Sequence, residues 1–62
     1  MRYTAINNST FAEHGFSAQD DDEAIAITEN LAFEAGHSMT LYRTLPRRML
    51  DRVCVVLPDR GF

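Results

Sequence analysis

Apolar and polar side chains alternate near both ends of the chain and fall into a helical rhythm between them. From Arg2 to Asn7, Tyr3 and Ala5 alternate with Thr4 and Ile6, which predicts a short strand. The turn-forming cluster Asn7-Asn8-Ser9-Thr10 follows, and Thr10 to Ala18, with His14, Phe16 and Ala18 on one side, predicts a returning strand with a bulge at Gly15. Asp20 and Glu23 have the spacing of a capping box, with Ser17 and Asp20 as a weaker alternative start, and Gly36 is suited to end a helix. Within that span Ala24, Ile25, Ile27, Thr28, Leu31, Ala32 and Ala35 occupy one arc of about 160°, wide enough to cover a sheet. Ser38 to Thr44 alternates again, Leu45 to Arg48 reads as a loop, and Met49 to Leu57 ends in a β-branched run before Pro58. Leu45, Met49, Val53 and Val56 also keep helical spacing, so a helix opened by Pro46 competes with this last strand; Val53, Val55 and Val56 favour the strand.

The expected fold is α+β: one antiparallel sheet with one amphipathic helix across it, in the order ββαββ, and a single domain over residues 1–62. A chain of 62 residues buries only about 60% of its unfolded surface, so its core is thin and its stability marginal unless copies associate. One cysteine forms no internal disulfide. With no signal-like apolar run near the start and no stretch of spanning length, the expectation is a soluble protein of the bacterial cytoplasm that does not engage membrane.

Charge changes this picture more than composition does. The chain has nine acids and six bases, all of the bases arginine, for a net charge of −3. Residues 3–42 hold seven acids and no base, a net of −7, whereas residues 43–62 hold five arginines and two acids, a net of +3; Arg2 supplies the remaining charge. The molecule is therefore dipolar, and such asymmetry suggests charged partners.

Catalytic chemistry finds little support. His14, His37 and Cys54 lack the close pairs of a zinc site, and Cys54 between valines looks buried rather than reactive. There is no nucleophile-elbow serine and no glycine-rich phosphate loop. Neither an enzyme nor a cofactor is expected.

The acids of the helix invite a second explanation. Asp20, Asp21, Asp22 and Glu23 suit the positive end of the helix dipole, but one or two of them would suffice, and Glu29 and Glu34 lie beyond its reach. A solvated face usually carries Lys or Arg at i,i+4, and here there is none. Solubility alone, as in an accessory domain, competes with a binding surface made of Glu13, Asp20, Asp21, Asp22, Glu23, Glu29 and Glu34, with Phe33 as its apolar anchor. Phe33 has the alternative of packing at the rim against Phe62. Glu23 and Glu34 stand about 16 Å apart along a helix, a spacing compatible with arginines and lysines that otherwise hold phosphates. The partner expected is a basic surface of a nucleic-acid-binding complex, with no direct contact to nucleic acid and with the protein a monomer or weak homodimer. The alternative is a small nucleic-acid-binding or dimeric regulatory protein that uses the arginines around the last hairpin, Arg43, Arg47, Arg48 and Arg52. Pairing of those arginines with the acidic helix, within one chain or across a dimer, competes with that use.

A very short, acidic α/β chain with an acid-studded helix resembles the phage-encoded anti-CRISPR proteins, several of which share small size and acidic surfaces that mimic DNA. The resemblance spans the chain and rests on Glu13, the run Asp20-Asp21-Asp22-Glu23, Glu29 and Glu34 rather than on a motif. It implies an inhibitor that occupies the DNA- or PAM-binding surface of a CRISPR type I effector subunit, with type I-C the nearest kind. The basic last third departs from a uniformly acidic mimic.

Overall fold

The computed structural model describes residues 1–58, a small α+β fold with four antiparallel strands in one sheet and one helix. In chain order the elements are β1 (Arg2–Asn7), β2 (Glu13–Ser17), α1 (Asp21–Ala35), β3 (Met39–Leu45), a single 3-10 turn (Pro46–Arg48) and β4 (Met49–Val56). The competing helix after Pro46 does not form, since Arg47 in that turn has left-handed, non-helical dihedrals, and the β-branched run is strand. The strands lie in the order β2-β1-β3-β4, so β1 and β3 are central and β2 and β4 form the edges.

Helix α1 begins where the sequence places it. Asp20 caps it by accepting from the Glu23 N–H at 2.9 Å, and the Glu23 carboxylate reaches back to the Gln19 N–H at 3.3 Å. Gly36, at φ 71°, ends the helix in the left-handed region by donating to the Ala32 carbonyl at 2.9 Å. The face toward the sheet is built from small residues one turn apart, Ala24, Thr28 and Ala32, all fully buried. The bulk comes from the sheet: Tyr3, Leu41 and Met39 fill the space beneath them, with Ala5 and Val56. Small residues on the helix let its backbone approach the sheet closely, while Ile25, Ile27 and Leu31 seal the margins. The Thr28 hydroxyl, buried among these groups, donates to the Ala24 carbonyl at 2.8 Å. Ala35, assigned to the buried arc by periodicity, is exposed. It is the final helical residue, where the helix end has passed the core.

Two further expectations are corrected. Gly15 pairs with Thr4 in an unbroken β1–β2 register, so no bulge occurs there. The glycine instead lies under the Arg2 side chain, whose Nη2 would stand 3.3 Å from an added Cβ. The irregularity falls on β4, where Leu41 faces Cys54 but Tyr42 faces Arg52, which leaves Val53 as the extra residue. Cys54, expected to be buried, is only partly so on this edge strand.

Two connections hold non-glycine residues in the left-handed region. Phe11, at φ 63°, closes the β1–β2 loop by donating its N–H to the Asn7 carbonyl at 2.7 Å. Between β3 and β4, Arg47 and Arg48 both have positive φ, 65° and 61°, and the Met49 N–H donates to the Pro46 carbonyl. This is the backbone of a type I′ turn, whose central positions favour Asn and Gly. Each side chain held there costs about 1 kcal/mol.

Candidate partner-binding surface

The acids singled out in the sequence separate into two groups. Asp20, Asp22, Glu23, Glu29 and Glu34 project from α1 as exposed side chains, and Glu13 is exposed at the start of edge strand β2. Asp21 differs from the rest, because the first helical turn aims it back at the sheet. It accepts from the Tyr3 hydroxyl at 2.7 Å and from Arg43 Nε at 3.1 Å, and Arg43 Nη2 pairs with its other oxygen. Arg43 also donates through Nη1 to Asp51 on β4 at 2.7 Å. One guanidinium thus links helix, central strand and edge strand.

The electrostatics follow from these contacts. The Arg43 hydrogen bonds, helped by the Tyr3 hydroxyl, hold the Asp21 carboxyl below the usual carboxylate range. The same carboxylate, with burial, raises the Tyr3 hydroxyl. Asp21 is therefore a structural ion, neutralised within the fold, and it leaves the candidate docking set. No signal in the sequence distinguished it from its neighbours Asp20 and Asp22. That difference arises only when Arg43, 22 residues away, is brought beneath the helix.

Among the described residues the ion pairs are those of Arg43 with Asp21 and with Asp51. Among the described residues no arginine is paired with Asp22, Glu23, Glu29 or Glu34, so there the pairing between arginines and the acidic helix is the one Arg43–Asp21 contact. Phe33 lies on the outward side of α1 and is 54% exposed; Phe62, its suggested packing partner, lies outside the described residues. The outer surface of the helix is a strip of carboxylates without an ion pair among the described residues, with an aromatic ring on the same side.

Comparison with family models, with curated proteins and with solved structures finds no match to this chain.

Geometry therefore carries the functional reading. An open hollow of about 410 Å³ lies at the helix N-terminus, lined by Met1, Asp20, Asp21, Asp22 and Arg43. Its carboxylates share it with the Arg43 guanidinium, which pairs with Asp21, while Asp20 caps the helix. Among the described residues no group of three His, Cys, Asp or Glu side chains is placed to share a metal ion. His14 sits exposed on β2, while His37 Nδ1 lies 3.2 Å from the Ser9 hydroxyl in the connection after the helix. Burial, with the Asp21 charge as a smaller cause, pushes the Cys54 thiol up, which keeps it protonated and weakly nucleophilic at neutral pH. No described helix is long and apolar enough to cross a membrane.

Proposed function

We propose that the protein is a non-enzymatic binding protein whose outward helix face docks on a basic, DNA-handling surface of a partner complex and so excludes nucleic acid from it. One observation carries this: Asp22, Glu23, Glu29 and Glu34 are exposed together on α1 with no base on the helix and no ion pair to any of them among the described residues. An acidic strip without internal compensation costs self-repulsion, which a surface of arginines and lysines relieves. Phe33 adds an apolar contact within the strip, and the capping groups at Asp20 and Glu23 keep its first turn rigid. Resemblance to the phage-encoded anti-CRISPR proteins makes a CRISPR type I effector subunit the first partner to test, with type I-C the nearest kind, in a bacterial cytoplasm. Glu13, on a different element, belongs to the periphery of this surface.

The test is capture of a purified type I effector by the tagged protein at low and high salt, alongside a variant carrying Asp22→Lys, Glu29→Lys and Glu34→Lys. Capture that weakens steeply with salt and disappears in the variant supports the proposal. Equal capture by the variant would exclude the helix face. Asp21 is left unchanged because its loss would disturb the fold.

A further inference from the structure

We infer that the face of the sheet turned away from α1 is a docking surface for a second copy of this chain, and that two copies pack there sheet to sheet. Register places its residues. Tyr3, Ala5, Leu41 and Met39 point to the helix, so their strand neighbours point the other way. Glu13, Ile6, Thr40 and Val55 form one row across the four strands, and Gly15, Thr4, Tyr42 and Arg52 form the next.

The outward face of an antiparallel sheet ordinarily sends polar side chains into water. This one is built like an interface, uncharged at its centre and charged at its border. Thr4, Ile6, Thr40, Tyr42 and Thr44 occupy the two central strands. The charged groups are Glu13 and Arg52 on the two edge strands and Arg2 at the start of β1. Val55 and Leu50, on the same face, are 43% and 42% exposed. The central threonine hydroxyls already have partners within one copy. Those of Thr4 and Thr44 share a hydrogen bond at 2.8 Å, and that of Thr40 donates to the Asn8 side-chain oxygen at 2.9 Å. Covering these hydroxyls therefore strands none of them.

Size and charge select the occupant. A two-fold axis running along the strands, midway between β1 and β3, lays β1 of each copy over β3 of the other and each edge strand over the opposite edge. Ile6 then meets Thr40 and Tyr42 meets Thr4, so a large side chain faces a small one at each of these central positions. At the border, Glu13 comes within one row of Arg52 of the second copy, and neither has an ion pair among the described residues of its own chain. Arg2, whose Nη2 lies over Gly15, borders the same carboxylate. The face is thus complementary to itself, as a two-fold contact requires. Nucleic acid fits it less well, because the threonine hydroxyls are committed and Glu13 opposes phosphates. Four strands about 4.8 Å apart, over the length of β1, give about 400 Å² in projection. That is below the roughly 800 Å² per partner of a standard interface, so the dimer should be weak and concentration-dependent. Both helices stay on the outside, and the dimer presents two acidic strips. The inference concerns the protein alone and does not rest on the partner proposed above.

The experiment is sedimentation equilibrium of the purified chain over a series reaching about 1 mM, where even a weak dimer forms. The expected result is a dimer whose dissociation constant rises about tenfold or more in Tyr42→Lys, which puts a cation at the centre of the contact. Glu29→Lys, on the outward helix face, should leave it unchanged. Tyr42 is partly buried, so a second set of variants is confined to exposed side chains and spares the fold. Glu13→Arg and Arg52→Glu should each weaken the dimer about threefold or more, and the two combined in one chain should restore it. A wild-type chain still monomeric at the highest concentration would overturn the inference, as would a dimer that none of the sheet-face changes moves. Failure of the combined variant to recover would overturn the proposed pairing of strands. A monomer retained on single-stranded DNA and released by Arg52→Glu would also overturn the inference, by assigning the face to nucleic acid.

Discussion

Arg43 holds Asp21 through both carboxylate oxygens while its remaining nitrogen donates to Asp51, so a β3 side chain fixes the helix N-terminus against the sheet and ties in the edge strand. The Tyr3 hydroxyl completes the set at 2.7 Å from Asp21. All four residues come from different elements, and the contact exists only once the layers have packed.

Acid should therefore weaken this fold through Asp21. Its carboxyl is held below its ordinary value by Arg43 first and Tyr3 second, so the folded state binds fewer protons than the unfolded chain. The contribution is complete above about pH 5 and is lost as the pH falls through the unfolded value near 4 and on toward the lower folded one. Urea midpoints measured from neutral pH to pH 2 should fall along this limb. The Asp21→Asn variant should start lower and show a flatter acid dependence.

Substitution along the acidic run should divide by geometry rather than by charge. Asp21→Lys sets two cations against each other at the Tyr3 and Arg43 contact and should lower the melting temperature clearly. Asp22→Lys, one position further round the helix and exposed, should leave it almost unchanged. Equal melting temperatures for the two variants would show that the Arg43 contact contributes nothing.

Relief of backbone strain should stabilise the fold at two places. Phe11 at φ 63° is 75% exposed, so Phe11→Gly removes a left-handed side chain and loses little packing. The expected gain is about 1 kcal/mol, offset in part by the greater freedom of glycine in the unfolded chain. Arg47→Asn/Arg48→Gly restores the residues that a type I′ turn prefers and should gain about 1–2 kcal/mol. Calorimetry of dilute protein checks both.

The core should show little tolerance for loss of volume. Leu41 is fully buried in the central strand beneath the small residues of α1. Leu41→Ala should cost about 2–5 kcal/mol, since neither sheet nor helix can close over the gap. A chain of this length holds only roughly 3–9 kcal/mol in total, so circular dichroism should find the variant largely unfolded at modest urea concentrations.

Cys54 provides a probe of the β4 edge. Its thiol is partly buried and pushed up by burial, so alkylation at neutral pH should be slow against a free thiol and accelerate in urea. Native-state labelling as fast as that of the unfolded chain would mean that the edge opens readily.

Much of this architecture was legible along the chain. The Asp20 and Glu23 spacing located the helix start, Gly36 its end, and the β-branched run after Arg52 the last strand, because caps and side-chain periodicity are local properties. The acidic strip was legible for the same reason: residues 3–42 contain no base wherever they fold. What remained hidden involved residues distant in sequence. Periodicity counted Ala35 among the buried positions and placed a bulge at Gly15, since neither the length of the core nor the pairing register is written in one segment. It also did not separate Asp21 from Asp22.

By itself the sequence determined the kind of fold, the helix boundaries and the separation of an acidic first two-thirds from a basic remainder, since each follows from neighbours within a turn or a strand. Only the tertiary structure decided which carboxylate became structural and which stayed free. It also set Arg47 and Arg48 in the left-handed region at the β3–β4 turn. Those outcomes depend on strand order and register, which bring together side chains some twenty residues apart, and a charge is neutralised or left exposed by what stands a few ångströms away.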